Sequence, residues 1–262
     1  MKRLNNLFKS TPNNLLNIYF TAGYPNLDDT ETIILQLEKA GADLIEIGVP
    51  FSDPLADGPT IQDSGTAALK NGMTLPLLFD QIEKARKKTE IPLIMMGYFN
   101  QVMQYGEDKF IQKCVDVGVD GVILPDLPLF EYEKFYREKF EKAGLAISFL
   151  ITPQTSPERI QKVDDLTTGF VYVVADSSIT GSSKGLSDAQ LAYFQRIKEA
   201  NLKNPTMIGF GISNNETFSS ACQFANGAII GSAFIRALGK EEALEKTISE
   251  FVGMVRGENL VA

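Results

Sequence analysis

The sequence predicts an α/β protein, a single (β/α)8 TIM barrel spanning residues 1–262. Short apolar runs alternate with longer segments of helical period, and eight such strand–helix units follow one another. The runs are apolar throughout rather than alternating, which marks strands of a parallel sheet covered on both faces. No linker, low-complexity segment or composition break divides the 262 residues, and eight units in that length suit a closed barrel better than an open doubly wound sheet.

The elements follow in order. Residues 2–10 read as a short extra helix. LLNIYFTAG (15–23) is a strand running into a turn. Asp28 or Asp29 is positioned to cap a helix with Ile33, Ile34, Leu37 and Ala40 on one face, and Gly41 ends it. The second strand is 43–49, and a further short helix, 61–70, sits in the loop after it. Residues 75–88 form a helix with Leu77, Leu78, Ile82 and Ala85 in phase. A strand at 92–98, a helix at 108–117 closed by Gly118, and a strand at 121–125 follow. Next come a helix at 130–143 ended by Gly144, a strand at 145–151, and a helix capped by Ser156 and running to 165. The strand 169–175, the helix 188–200 capped by Ser187, the strand 206–209 and the helix from Asn214 to 224 lead to the last strand, 227–231. A short helix is expected near that strand, and 240–255 is the closing helix.

Composition narrows the chemistry. Hydrophobic residues at 44% are ample for a full core, and a net charge of −8 argues against a nucleic-acid or anionic-membrane surface. The chain has no histidine, so His-based triads, His metal sites and imidazole acid–base catalysis are excluded. Proton transfer falls to carboxylates, Lys, Tyr or Cys. The two cysteines, Cys114 and Cys222, lie in helical patterns and read as small, reduced core residues. The N-terminal stretch lacks the apolar region of a signal peptide, and no apolar run approaches membrane-spanning length. A cytoplasmic protein without a metal is expected.

The residues that carry function gather in DLIEIGVPFSDPLADGPT (43–60). Strand parity points Ile45, Ile47 and Val49 one way and Leu44, Glu46 and Gly48 the other. Glu46 is a carboxylate on an apolar face, with Gly48 leaving an opening above it. It is either paired with a Lys or Arg elsewhere or a functional group. The stiff loop after it carries Asp53 and Asp57. Each is either ordinary turn chemistry or an acid brought back over the strand end opposite Glu46. Active sites of such barrels lie at the C-terminal ends of the strands. Tyr98, Asn100, Asp126 and Tyr172 also fall at or just past strand ends. Glycine-rich turns at Thr180–Gly181, GFGIS (209–213) and Gly231–Ser232 suit a phosphate, because glycine lets backbone N–H groups approach an anion. The small, polar segment ADSSITGSSKGLS (175–187) reads as a lid or as an exposed loop.

EIGVPFSDPLADGPTIQ, the GFGIS turn, the PDLP after the fourth strand and ITG in the 175–187 loop together resemble the tryptophan synthase alpha chain family, in order and over essentially the whole length. The resemblance implies a (β/α)8 barrel and a carbon–carbon lyase of tryptophan biosynthesis, cleaving indole-3-glycerol phosphate to indole and glyceraldehyde 3-phosphate. It implies that Glu46 is the catalytic acid–base and that Asp57 hydrogen-bonds the indole N–H. Tyr172 and Thr180 would be substrate-site residues together with Tyr98 and Asp126. Gly181, Phe210, Gly211, Gly231 and Ser232 would cradle the phosphate. It implies no cofactor in this chain, pyridoxal phosphate being held by a beta chain partner in an α2β2 heterotetramer that Pro50, Asp53 and Asn100 would face.

The loop departs from the family's S-R-x-G-V-T-G: Ala175, Asp176, Ser178 and Ile179 stand at its first, second, fourth and fifth positions. Two other readings make different demands. Another phosphate-binding barrel, such as an isomerase, would place other acids or a lysine at the strand ends. A non-catalytic alpha-like subunit that only binds and activates its partner would lack Glu46 or Asp57, and both are present.

Overall fold

The computed structural model describes residues 2–55, 57–175, 187–209, 211–240 and 242–258. Its strands are β1 (Leu15–Thr21), β2 (Leu44–Gly48), β3 (Leu93–Met96), β4 (Gly121–Ile123), β5 (Ala146–Ser148), β6 (Leu150–Ile151), β7 (Val171–Val174), β8 (Thr206–Gly209) and β9 (Gly227–Ile230). All pair in parallel, in the order β5-β4-β3-β2-β1-β9-β8-β7-β6. The two ends of that order, β5 and β6, are separated along the chain by Phe149 alone. The chain itself thereby closes the sheet into a barrel, and the nine strands are eight passes with the fifth broken.

Strand residues are buried on both faces, which is why the strands read as continuous apolar runs. One set of side chains, including Leu15, Leu44, Ile94, Ile123, Phe170 and Met207, fills the barrel. The other, including Ile18, Ile45, Met95, Ile147, Val173 and Ile230, packs outward under the helices. The N-terminal helix Lys2–Ser10 plugs the bottom: Leu4 is fully buried in the inner cluster, and Phe8 meets Phe170 at 6.2 Å between ring centroids.

The helix after β2, Pro59–Lys70, starts two residues earlier than the 61–70 expectation, because Gly58 is extended and Pro59 supplies a first-turn φ. Ser156, Ser187 and Asn214 cap their helices through side-chain acceptors. Asp28 does not, contrary to expectation. Its backbone (φ −94°, ψ 3°) is not extended, and it makes no capping bond, while the Asp29 carboxylate accepts from the Asn26 amide instead. A helix at Phe99–Tyr105 was not anticipated. The expected helix 130–143 is three pieces, Leu129–Glu131, a π-helical turn Tyr132–Tyr136 and Arg137–Ala143. The short helix near the last strand is Ser232–Leu238. Among the described residues no helix is long and apolar enough to cross a membrane. Cys114 and Cys222 are free thiols, buried and half-buried.

Candidate active site

Glu46 sits in the middle of β2, is 0% exposed, and faces into the barrel, as its parity predicts. Its cross-strand neighbours are Tyr19 on β1 and Ile94 on β3. No Lys or Arg pairs with it among the described residues. Its partner is the amide of Asn17, whose Nδ2 donates to Glu46 Oε2 at 3.1 Å. Glu46 Oε1 is buried without a hydrogen-bond partner. Burial raises the carboxyl to about 8, with the Asn17 hydrogen bond opposing the rise and the nearby Asp57 charge adding to it. The carboxyl therefore keeps its proton to a higher pH than an ordinary glutamate does.

Gly48 does not leave an open space above Glu46. The ring of Tyr19 fills it, and a Cβ on residue 48 would stand 2.1 Å from the tyrosine hydroxyl. The same device recurs on β8, where a Cβ on Gly209 would lie 2.2 Å from the hydroxyl of Tyr172. Glycine at these strand ends admits two tyrosines, both at most 6% exposed, into the chamber that holds the carboxylate.

The loop after β2 returns Asp57 to the same chamber. Its turn is fixed by Asp57 N donating to the Pro54 carbonyl at 3.1 Å and by Gln62 Nε2 donating to the Asp57 carbonyl at 2.8 Å. Tyr98, at the end of β3, donates its hydroxyl to Asp57 Oδ2 at 3.1 Å and stacks on Phe51. Burial raises the Asp57 carboxyl, and the Tyr98 hydroxyl counteracts it.

Glu46, Asp57 and Tyr172 thus line one cavity of about 210 Å³ at the C-terminal end of the barrel. Gly211, Gly231 and Ser232 border it at β8 and β9, together with Arg236, whose Nη1 donates to Thr60 Oγ1 at 3.3 Å. The remaining wall includes the apolar side chains of Ile61, Met96 and Ile229 beside Tyr19 and Ser213. The chamber can take an apolar body against two carboxyl groups and an anionic end against glycine amides and a guanidinium. Thr180, Gly181 and Phe210, and the altered loop positions Asp176, Ser178 and Ile179, lie outside the described residues.

Asp126 is not brought into this cavity. Its Oδ1 accepts from Phe99 N at 2.8 Å at the start of the unanticipated helix, and it borders a separate outer groove with Asp53, Asn100 and Leu55. Leu55 is 95% exposed there. Asp53 and Asn100 are exposed beside it, whereas Pro50 is buried, its carbonyl accepting from Gln101 Nε2 at 2.8 Å. Pro50 therefore shapes the loop rather than presenting a surface. Sequence reasoning missed Asn17, Tyr19 and Arg236. The first two carry the signal that exposed Glu46: polar atoms at inward positions of a strand that is otherwise apolar. Among the described residues no group of three or more His, Cys, Asp or Glu is arranged to hold a metal ion.

The family model for the tryptophan synthase alpha chain matches residues 5–259. The tryptophan synthase alpha chain of Flavobacterium psychrophilum is 57% identical over 241 residues, 92% of this chain and 94% of that one. That of Christiangramia forsetii is 53% identical over 256 residues, 98% and 99% of the two chains. Among solved structures, tryptophan synthase subunit alpha from Legionella pneumophila superposes with a TM-score of 0.87 at 33% identity, covering 98% of each chain. A chain of the tryptophan synthase complex from Pyrococcus furiosus superposes with a TM-score of 0.85 at 34% identity, covering 94% of this chain and 98% of that one. A match over nearly the full length, on a closed parallel barrel with two carboxyl groups facing one chamber, makes this chain a member of the tryptophan synthase alpha chain family.

Proposed function

We propose that this lyase, which cleaves indole-3-glycerol phosphate to indole and glyceraldehyde 3-phosphate in tryptophan biosynthesis, works through Glu46 and Asp57. The observation that carries the assignment is the placement of a fully buried Glu46 and of Asp57 on one chamber. Glu46 gives its proton to indole C3. The ring becomes a cation centred on nitrogen, and Asp57 stabilises that charge by accepting from the indole N–H. Glu46, now ionised, takes the proton of the hydroxyl on the adjoining glycerol carbon. The bond between that carbon and C3 breaks, its electron pair returns to the ring, and aldehyde and indole form. The proton leaves and returns to one carboxyl, so the balance needs no further reagent.

Tyr172 and Tyr98 shape the indole end, Tyr98 by holding Asp57. Amides at Gly211, Gly231 and Ser232, and those of Gly181 and Phe210, receive the phosphate, and Thr180 is a substrate-site residue. Asp126 has an indirect place, holding the helix that begins beside Tyr98.

The chain assembles with a tryptophan synthase beta chain as an α2β2 heterotetramer, and the outer groove of Asp53, Leu55 and Asn100 supports that reading by exposing an apolar side chain. Pyridoxal phosphate belongs to the partner. The described lining of the cavity contains no lysine to hold that cofactor as an imine. Residues 1–262 form one domain, and the enzyme is cytoplasmic, in keeping with its two free thiols.

Indole release from indole-3-glycerol phosphate by the Glu46→Gln and Asp57→Asn variants tests the roles. The first loses nearly all turnover with the fold intact. The second falls by roughly the 10²–10³-fold typical of a lost charge-stabilising partner. Near-normal turnover in either removes that residue from the mechanism.

A further inference from the structure

We propose that Asn17 is a positioning residue for Glu46, holding one carboxyl oxygen in place and stabilising the ionised form that follows proton donation. The proposal rests on the acid–base role of Glu46 given above.

Along β1, Leu15, Asn17 and Tyr19 point into the barrel, and the residues on either side of Asn17 belong to the inner apolar cluster. Asn17 pairs by register with Leu44 on β2 and Ile229 on β9, two further members of that cluster. It is 0% exposed. A primary amide in such a layer is costly unless its atoms are bonded. The hydrogen bond it makes is the one from Nδ2 to Glu46 Oε2, at 3.1 Å, and its Oδ1 has no partner among the described residues. The packing alone would be served as well by leucine. What the amide adds is a donor directly beneath the reacting carboxyl.

The consequence for Glu46 is asymmetric. Oε2 is held and Oε1 is not, so Oε1 is the oxygen left to exchange a proton with substrate. The other groups facing Glu46 do not take this role. Asp57 from the loop after β2 is a second acid, and its charge disfavours ionisation of Glu46. Tyr19 from β1 and Tyr172 from β7 are buried phenols, β3 contributes Ile94 and Met96, and Arg236 on the far wall is bonded to Thr60. Among the described residues Asn17 is the group that hydrogen-bonds the carboxyl. An amide also suits both states of an acid–base, since its NH2 donates to a carboxylate and its carbonyl accepts from a carboxyl O–H.

The test uses Asn17→Leu and Asn17→Asp, the second keeping the shape of the side chain should the first fail to fold. Two readouts are taken. One is kcat and KM for indole release. The other is titration of the Glu46 carboxyl by infrared difference spectroscopy, the band being identified by its loss in Glu46→Gln. The expected result is a fall in kcat of roughly tenfold or more with KM within about twofold. The Glu46 band titrates at a higher pH by about one unit or more in both variants, and further in Asn17→Asp, which adds an acid. A band that titrates where it does in the wild type, or a loss confined to KM, overturns the proposal. The spectroscopic shift reads the Asn17–Glu46 coupling without substrate. A Glu46→Gln enzyme with normal turnover would therefore sink the catalytic role of Glu46 separately from this coupling.

Discussion

The hydroxyl oxygen of Tyr19 stands 2.1 Å from where a Cβ on Gly48 would be, and the next two ring atoms lie within 2.9 Å of the same point. The two residues belong to paired strands, Tyr19 two residues below the level of Gly48, which pairs with Thr21 after Phe20 meets Ile47. Glycine at the end of β2 is therefore a requirement of the tyrosine beside Glu46, and not of backbone conformation. Gly48→Ala should drive the Tyr19 ring out of its place and cost about 1–3 kcal/mol, the usual range for overpacking. Activity should fall with it. Combining Gly48→Ala with Tyr19→Leu should recover part of the lost stability, giving a non-additive cycle when unfolding is followed in urea. Strictly additive losses would show that the two side chains do not compete for the same space.

A second expectation concerns pH. The Glu46 carboxyl is raised from its ordinary value of 4.5 to about 8, chiefly by burial. The folded state keeps this proton over a range where the unfolded chain has lost it. Its contribution is thus fully present below 4.5 and is lost as pH rises toward about 8. Wild-type stability should decline relative to Glu46→Gln by about 1.4 kcal/mol for each pH unit between those limits and run parallel to it above them. Denaturant melts of both proteins from acid to mildly alkaline pH measure the difference directly. A constant gap would show that Glu46 ionises normally in the folded protein.

The barrel was legible because its strands are buried on both faces and so lack polar alternation, as in LLNIYFT and LIEIG. Glu46 was legible for the converse reason, a charge where period two demands an apolar residue. Asn17 lies on the adjacent strand under the same rule and was passed over, because a neutral amide in an apolar run is a weaker contrast than a carboxylate. The opening assigned to Gly48 failed differently: what fills a glycine's space comes from another strand, and register between strands is not written in either one alone. Asp126 sits at a strand end like the true lining residues, but its carboxylate turns to a backbone N–H of a helix that the sequence did not announce. That helix starts on Tyr98, not a usual N-cap residue, with the Gln101 side chain accepting from the Tyr98 N–H.

Tyr98 leads to a third expectation. Its hydroxyl is the described hydrogen-bond donor to the Asp57 carboxylate, at 3.1 Å, and it works against the rise that burial imposes on that group. Tyr98→Phe keeps the ring that stacks on Phe51 and removes only the donor. Asp57 should then ionise at a higher pH and sit less firmly against the indole nitrogen. A hydrogen bond to a charged group is worth about 1.5–3 kcal/mol, so kcat/KM for indole release should fall by about tenfold at neutral pH and recover part of the loss as pH rises. A loss independent of pH would assign Tyr98 to packing alone.

The opposite end of the barrel should behave differently under mutation. Asp120, 2% exposed at the start of β4, accepts from Arg86 Nη2 at 3.1 Å, from Arg3 Nη1 at 3.4 Å and from the backbone N–H of Leu93 at 3.0 Å. Arg86 also donates to the carbonyls of Gly118, Thr89 and Ile91, tying the entry to β3 and the entry to β4 together. These contacts lie at the N-terminal ends of the strands, away from the chamber that holds Glu46. Asp120→Ala would strip the buried guanidinium of its counter-charge and leave the Leu93 N–H unpaired. Removing one partner of a buried ion pair typically costs roughly 3–5 kcal/mol, and a loss of that size is expected here in the midpoint of chemical unfolding. Turnover per folded molecule should remain that of the wild type, since residues at the bottom of such barrels serve stability and those at the top serve chemistry. A drop in kcat with the folded fraction held equal would show that the two ends are coupled.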